Sequence, residues 1–315
     1  AHIESPAILN DINESNLALQ AAARISRVYN WSPAGMFDPA NSLQLNVNAM
    51  GAGRFKTAAK IDERRLCAYT VYAHFLALII LEATDLPHKP VPVDPDEVLH
   101  SIVTDYGTLS FETALRYVWS LGIPVVPLND PGAFHGACWR VEGRNIIVLK
   151  QRTQSAARWL FDLIHELRHT AENPEEDHLT VLELGETSKE RRESEEEKEA
   201  SQFAGDVVLE GRAEELAELC VNAAGGSVER LKTAVKQVAA SQKIRVDHLA
   251  NYLAFRLSLQ NINWWGAATN LQERGTNPLL VVRDMLFKYI DLSRLNEFQR
   301  NLVLQALTDS PDVGG

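Results

Sequence analysis

Residues 165–169 read His-Glu-Leu-Arg-His, an H-E-x-x-H pentapeptide within SAARWLFDLIHELRHTAE. In a helix, positions i and i+4 share one face with side chains roughly 5 to 6 Å apart, so His165 and His169 can hold one tetrahedral metal ion between them. Glu166 then lies beside the metal, where a carboxylate can take a proton from water. The residues before the motif carry apolar side chains at helical spacing (Trp159, Leu160, Leu163, Ile164, Leu167) and no Pro or Gly interrupts them, which predicts that both imidazoles share a face. The plain alternative is two ordinary helix histidines, one bonded to a backbone carbonyl and one solvated.

A catalytic zinc site takes three protein ligands and leaves the fourth position for water. The metzincin continuation H-x-x-G-x-x-H is excluded, because Glu172 stands at its Gly position and Glu175 at its third His. A carboxylate from a later helix is the other common solution. In Glu195 to Gly211 (EEEKEASQFAGDVVLEG), the residues Ala200, Phe203, Ala204, Val207 and Val208 mark a core-facing stripe. Glu199 stands four residues before Phe203 at the edge of that stripe, which makes it the expected third ligand, with Glu196 the alternative. The rest of the charge-dense run 186–199 reads as solvated surface. Glu175, Asp177 and His178, in the connecting loop, are weaker candidates. The ligand set of two His and one Glu suits Zn2+ best.

The elements that must position these groups follow from the pattern around them. A long helix is expected over Ile61 to Ala83, then a Pro-rich linker (LPHKPVPVDPDE), a helix over Phe111 to Leu121, and a strand beginning at Gly122. Two further strands, Gly136 to Val141 and Asn145 to Leu149, are joined by Glu142-Gly143-Arg144 as a tight turn. His135, beside that hairpin, is a candidate substrate contact, although an ordinary hairpin residue is the simpler reading. Beyond Gly211 the chain is helical, with AAGGS (Ala223 to Ser227) as a break. The expected fold class is α+β, mainly helical, with a small three-stranded antiparallel or mixed sheet packed on the zinc helix in a zincin-like arrangement. The chain divides into 1–60 (a helix and loop), 61–210 (the metal-binding domain) and 211–315 (a helical domain).

These motifs resemble the ImmA/IrrE family of zinc metallo-endopeptidases from about Gly136 to Leu209: the hairpin GACWRVEGRNIIVLK, then FDLIHELRH, then an E-A-x-x-F-A segment at Glu199 to Ala204. The chain departs from the family in carrying Arg168 where Gly is common, and Val207, Val208, Leu209, Glu210 where the second helix usually ends Leu-Leu-Met-Pro. Neither change removes a ligand. The resemblance implies a site-specific endopeptidase with Glu166 as catalytic base. It implies a protein substrate carrying a helix-turn-helix, such as a transcriptional repressor or antitoxin, cut in a stress or mobile-element response. Ala18 to Phe37 is similar to the closing helix of an XRE-type helix-turn-helix domain, but such a domain needs about 55 to 65 residues to build a core. A different class of function, a non-catalytic regulator or sensor that uses the same fold to bind a partner, is argued against mildly by the intact Glu166.

Composition narrows the field further. Forty-two acidic against 31 basic residues give a formal net charge of −11, with no basic stripe, which argues against nucleic acid as a direct partner. Cys67, Cys138 and Cys220 are far apart and odd in number, with no C-x-x-C, so neither a disulfide framework nor a cysteine zinc site is expected. The N-terminus lacks the basic and apolar regions of a signal peptide. The most apolar stretch, Leu66 to Ala83, is interrupted by His74 and Glu82, so a buried helix is expected rather than a membrane span, in a cytoplasmic protein.

Overall fold

The computed structural model describes residues 19–29, 31–32, 34–38, 63–128, 134–151, 153–184, 195–273 and 275–308. Its architecture follows from where local signals start and stop each element. Helix α1 spans 19–29, within the stretch similar to a helix-turn-helix tail, and a 3₁₀ turn follows at Ala34–Phe37. The expected first 18 residues and the Asn- and Gly-rich loop lie outside the described residues. Helix α2 covers Glu63–Glu82, as its periodicity predicts. Asp94 caps α3 (Pro95–Tyr106) by accepting from the Asp96 N–H, and Pro95 occupies the first turn, where no N–H is needed. Ser110 and Thr113 form a reciprocal capping box on α4 (Phe111–Ser120).

Among the described residues the sheet has four strands, not the expected three. Strand β1 (Val125–Pro127) pairs parallel with β3 (Arg144–Leu149), which pairs antiparallel with β2 (Phe134–Val141). A fourth strand, β4 (Leu179–Leu184), pairs antiparallel with β2 and gives the order β1-β3-β2-β4. The β2–β3 turn has positive φ at both central residues, 50° at Glu142 and 74° at Gly143, the geometry of a two-residue type I′ turn that follows strand twist. Alternation along β2 points Trp139 at His74 of α2, with ring centroids 5.5 Å apart, while Gly136, Cys138 and Arg140 take the opposite face.

Against that opposite face lies α5 (Ala156–Thr170), the helix with the H-E-x-x-H motif, which also packs on α4. Beyond β4 come α6 (Glu195–Val208), α7 (Ala213–Ala223), α8 (Val228–Gln242) and α9 (Val246–Leu259). The short α10 (Trp265–Thr269), α11 (Pro278–Tyr289) and α12 (Glu297–Thr308) close the chain. The break expected at AAGGS separates α7 from α8, with positive φ at Gly225 and Gly226. One buried apolar cluster runs from Ala73 to Leu307, joining the sheet, α5 and the C-terminal helices. The molecule is therefore α+β, mainly helical with a small mixed sheet. Among the described residues, no helix is long and apolar enough to cross a membrane.

Helix α5 is buried on nearly every face although it carries Asp162, His165, Glu166, His169 and Thr170. Burying such groups is costly unless each is bonded or charge-balanced, so both helix ends are tied down by polar contacts. At the start, the Ser155 hydroxyl accepts from the Arg158 N–H at 3.1 Å and donates to Gln272 at 2.5 Å, and Gln272 bonds in turn to Asn251 of α9. At the end, the buried Arg140 of β2 donates to the carbonyls of Thr170 (2.7 Å), Glu172 (3.0 Å), Asn173 (2.5 Å) and Glu176 (3.1 Å), while its Nε reaches Asn145 at 2.9 Å. One guanidinium thus satisfies the last carbonyl of α5, one of those a helix C-terminus leaves free, and fixes the turn that follows.

Candidate metal centre

Because His165 and His169 are one helical turn apart on α5, their Nε2 atoms face each other at 3.1 Å. A third donor comes from the first turn of α6, where Glu197 Oε2 lies 3.4 Å from Nε2 of His165 and 3.8 Å from Nε2 of His169. Bonds of about 2.0 to 2.1 Å to one tetrahedral ion place neighbouring ligand atoms roughly 3.3 Å apart, so the three atoms fit a common metal. His165, His169 and Glu197 can hold a metal ion.

The outer nitrogen of each ring is also held. Nδ1 of His165 lies 3.2 Å from the Ser201 hydroxyl, one turn beyond Glu197 on α6. Nδ1 of His169 lies 2.7 Å from the Glu172 carboxylate, on the turn that Arg140 fixes. Such outer partners orient metal-binding imidazoles and set their tautomers. Two ordinary helix histidines would not need both Nδ1 atoms restrained and both Nε2 atoms aimed at one carboxylate.

Charge points the same way. Three carboxylates, Glu166, Glu172 and Glu197, surround the two imidazoles in a buried site. Burial alone pushes the His169 pKa down, but its hydrogen bond to Glu172 and the nearby carboxylates of Glu197 and Glu166 override it and raise the pKa to about 10. Carboxylates that favour a proton on an imidazole also attract a cation to the same nitrogens.

The expected third ligand, Glu199, is corrected by this geometry. Its side chain is 62% exposed and pairs with Arg168 at 3.2 Å, whereas that of Glu197 is 12% exposed and sits at the histidines. The reason is helical phase. The face of α6 toward α5 is marked by Ser201, which meets His165, and Glu197 lies four residues before it on the same face. Phase taken from Phe203 instead places Glu199 on that face. The polar Ser201 within a buried stripe was the signal that could have found Glu197. The alternative, Glu196, is exposed. Glu175, Asp177 and His178 are likewise exposed, outside the cluster and just before or at the turn into β4. Arg168, the departure from the family pattern, holds Glu199 on the outer surface.

Glu166 is fully buried, with its carboxylate against Gly136 of β2. His135 lies in β2 at an irregularity of the pairing with β4, between Phe134 and Gly136. Cys138 and Cys220 are buried free thiols, and burial raises both pKa values, to about 12 for Cys220, so neither thiolate forms near neutral pH.

No family model, curated protein or solved structure matches this chain. The resemblance to the ImmA/IrrE peptidases therefore rests on the three motifs that carry it.

Proposed function

We propose that the protein is a zinc-dependent endopeptidase with zincin-like packing of α5 on the sheet, and that it cuts a protein substrate at a specific site. The observation that carries this reading is the conjunction of His165, His169 and Glu197 with a carboxylate, Glu166, one residue along the same helix from the first histidine. A zinc ion in the site supplies a Lewis acid for the scissile carbonyl and lowers the pKa of water to about 7. Glu166 takes the proton from the attacking water and returns it to the leaving amine. His165, His169 and Glu197 hold the ion, while Ser201 and Glu172 keep the two rings aimed at it. By resemblance, the substrate is a cytoplasmic repressor or antitoxin-like protein with a helix-turn-helix, cut in a stress or mobile-element response.

One observation favours the second reading, a regulator that binds a partner without turnover. Glu166 has no solvent-accessible surface, so substrate reaches it only if neighbouring segments move. Labelling of new protein N-termini in host lysate separates the two. The peptidase reading expects a small set of new termini with the zinc-loaded wild type, abolished by Glu166→Gln or by chelator. Identical termini from wild type and Glu166→Gln, with zinc bound to both, would favour the binding protein.

A further inference from the structure

The face of β2 toward α5 carries Gly136, Cys138 and Arg140 at alternate positions. Arg140 grips the last carbonyl of α5 and the turn beyond it, and at the other end the Glu166 side chain lies directly on Gly136. A Cβ at Gly136 would collide with Glu166 Oε1, and would stand 2.9 Å from its Cδ and 3.3 Å from its Cγ. Gly136 is not among the residues with positive φ, so its backbone conformation is open to any L-residue. The absence of a side chain serves space, not backbone geometry. The pairing irregularity between Phe134 and Gly136 adds to this, since bulges bend a strand and recur beside sites where a group must be placed closely.

We propose that Gly136 is a positioning residue for Glu166: strand β2 leaves a side-chain-sized gap that seats the carboxylate of the base. This rests on the peptidase reading only for its consequence in catalysis. The contact itself can be tested without substrate. A methyl group at Gly136 forces the Glu166 carboxylate out of its seat, and the three atoms nearest to it all belong to Glu166 and none to His165, His169 or Glu197. Its effect is therefore on the placement of the base and not on metal binding.

The test is a thermal double-mutant cycle on the full chain, with Gly136→Ala made in the wild type and in Glu166→Ala, and zinc content measured for each. The expected result is a drop in melting temperature of several degrees in the wild-type background and little or none beside Glu166→Ala, with about one zinc per chain retained throughout. If Gly136→Ala alone fails to fold, recovery of folding in the double variant gives the same answer. An equal drop in both backgrounds, or a double variant that also fails to fold, overturns the proposal. Where the wild type cleaves a substrate, Gly136→Ala should lower kcat at least tenfold with KM unchanged. Wild-type kcat in that variant would overturn the catalytic consequence while leaving metal binding and the peptidase reading intact. A wild type that cleaves nothing would count against the peptidase reading alone, because the thermal cycle still decides the contact.

Discussion

The Nδ1 atom of His169 lies 2.7 Å from the Glu172 carboxylate, three residues further along the chain and beyond the end of α5. That bond leaves Nε2 of the same ring free to face His165 and Glu197, so the turn after the helix controls the metal-facing nitrogen.

Removing the carboxylate should weaken the metal and leave the fold. Glu172→Gln keeps a hydrogen bond to Nδ1 but not the negative charge, and outer-partner changes of this kind cost about 10- to 100-fold in metal affinity. Ser201→Ala, which removes a neutral partner at 3.2 Å, should cost less. Competition with a chromophoric zinc chelator measures both. Unchanged affinity in Glu172→Gln would show that the His169 ring is held by packing alone.

Arg140→Met should destabilise the protein strongly. The guanidinium serves four main-chain carbonyls and Asn145, its bonds to Thr170 and Asn145 are buried, and a buried acceptor left unbonded costs about 1 to 3 kcal/mol. A loss of at least about 3 kcal/mol in urea unfolding is expected, with metal affinity falling as well because the turn bearing Glu172 is released. Stability within about 0.5 kcal/mol of wild type would mean that water replaces the guanidinium at little cost.

Acid should weaken the fold through His248 of α9. Burial is the main cause holding its pKa down at about 4, and its ring bonds to the backbone carbonyl of Val208 at the end of α6. The unfolded chain binds this proton near pH 6.5 and the folded protein does not, so stability falls as pH drops from about 6.5 to about 4 and levels off below that. The contribution lost is on the order of 3 kcal/mol. In metal-free protein, His248→Gln should show a shallower fall over that window, as read by urea unfolding at each pH. Parallel curves for the two proteins would remove His248 as the cause.

What the sequence made legible was local. Helix α5 was readable because Trp159, Leu160, Leu163, Ile164 and Leu167 repeat at its period, and the β2–β3 hairpin because Gly143 marks its turn. Strand β4 was not, since LTVLEL is short, lies between charged segments and owes its existence to pairing with β2, about 40 residues back along the chain. Glu197 stands two residues from the expected Glu199 because a large side chain, Phe203, sets the helical phase in the sequence, whereas the residue of α6 that meets His165 is Ser201. The contacts of Arg140 with the end of α5 and of Gly136 with Glu166 span 30 residues of sequence, and neither residue type announces its partner.

The proposed role of Glu197 is to hold the metal with His165 and His169. Its most direct test is zinc content by mass spectrometry on purified wild type, Glu197→Ala and Glu199→Ala, each equilibrated with zinc and then desalted. The geometry predicts about one zinc per chain in the wild type and in Glu199→Ala, and less than roughly one-tenth of that in Glu197→Ala. Zinc retained by Glu197→Ala and lost from Glu199→Ala, or no zinc bound by the wild type, would contradict it.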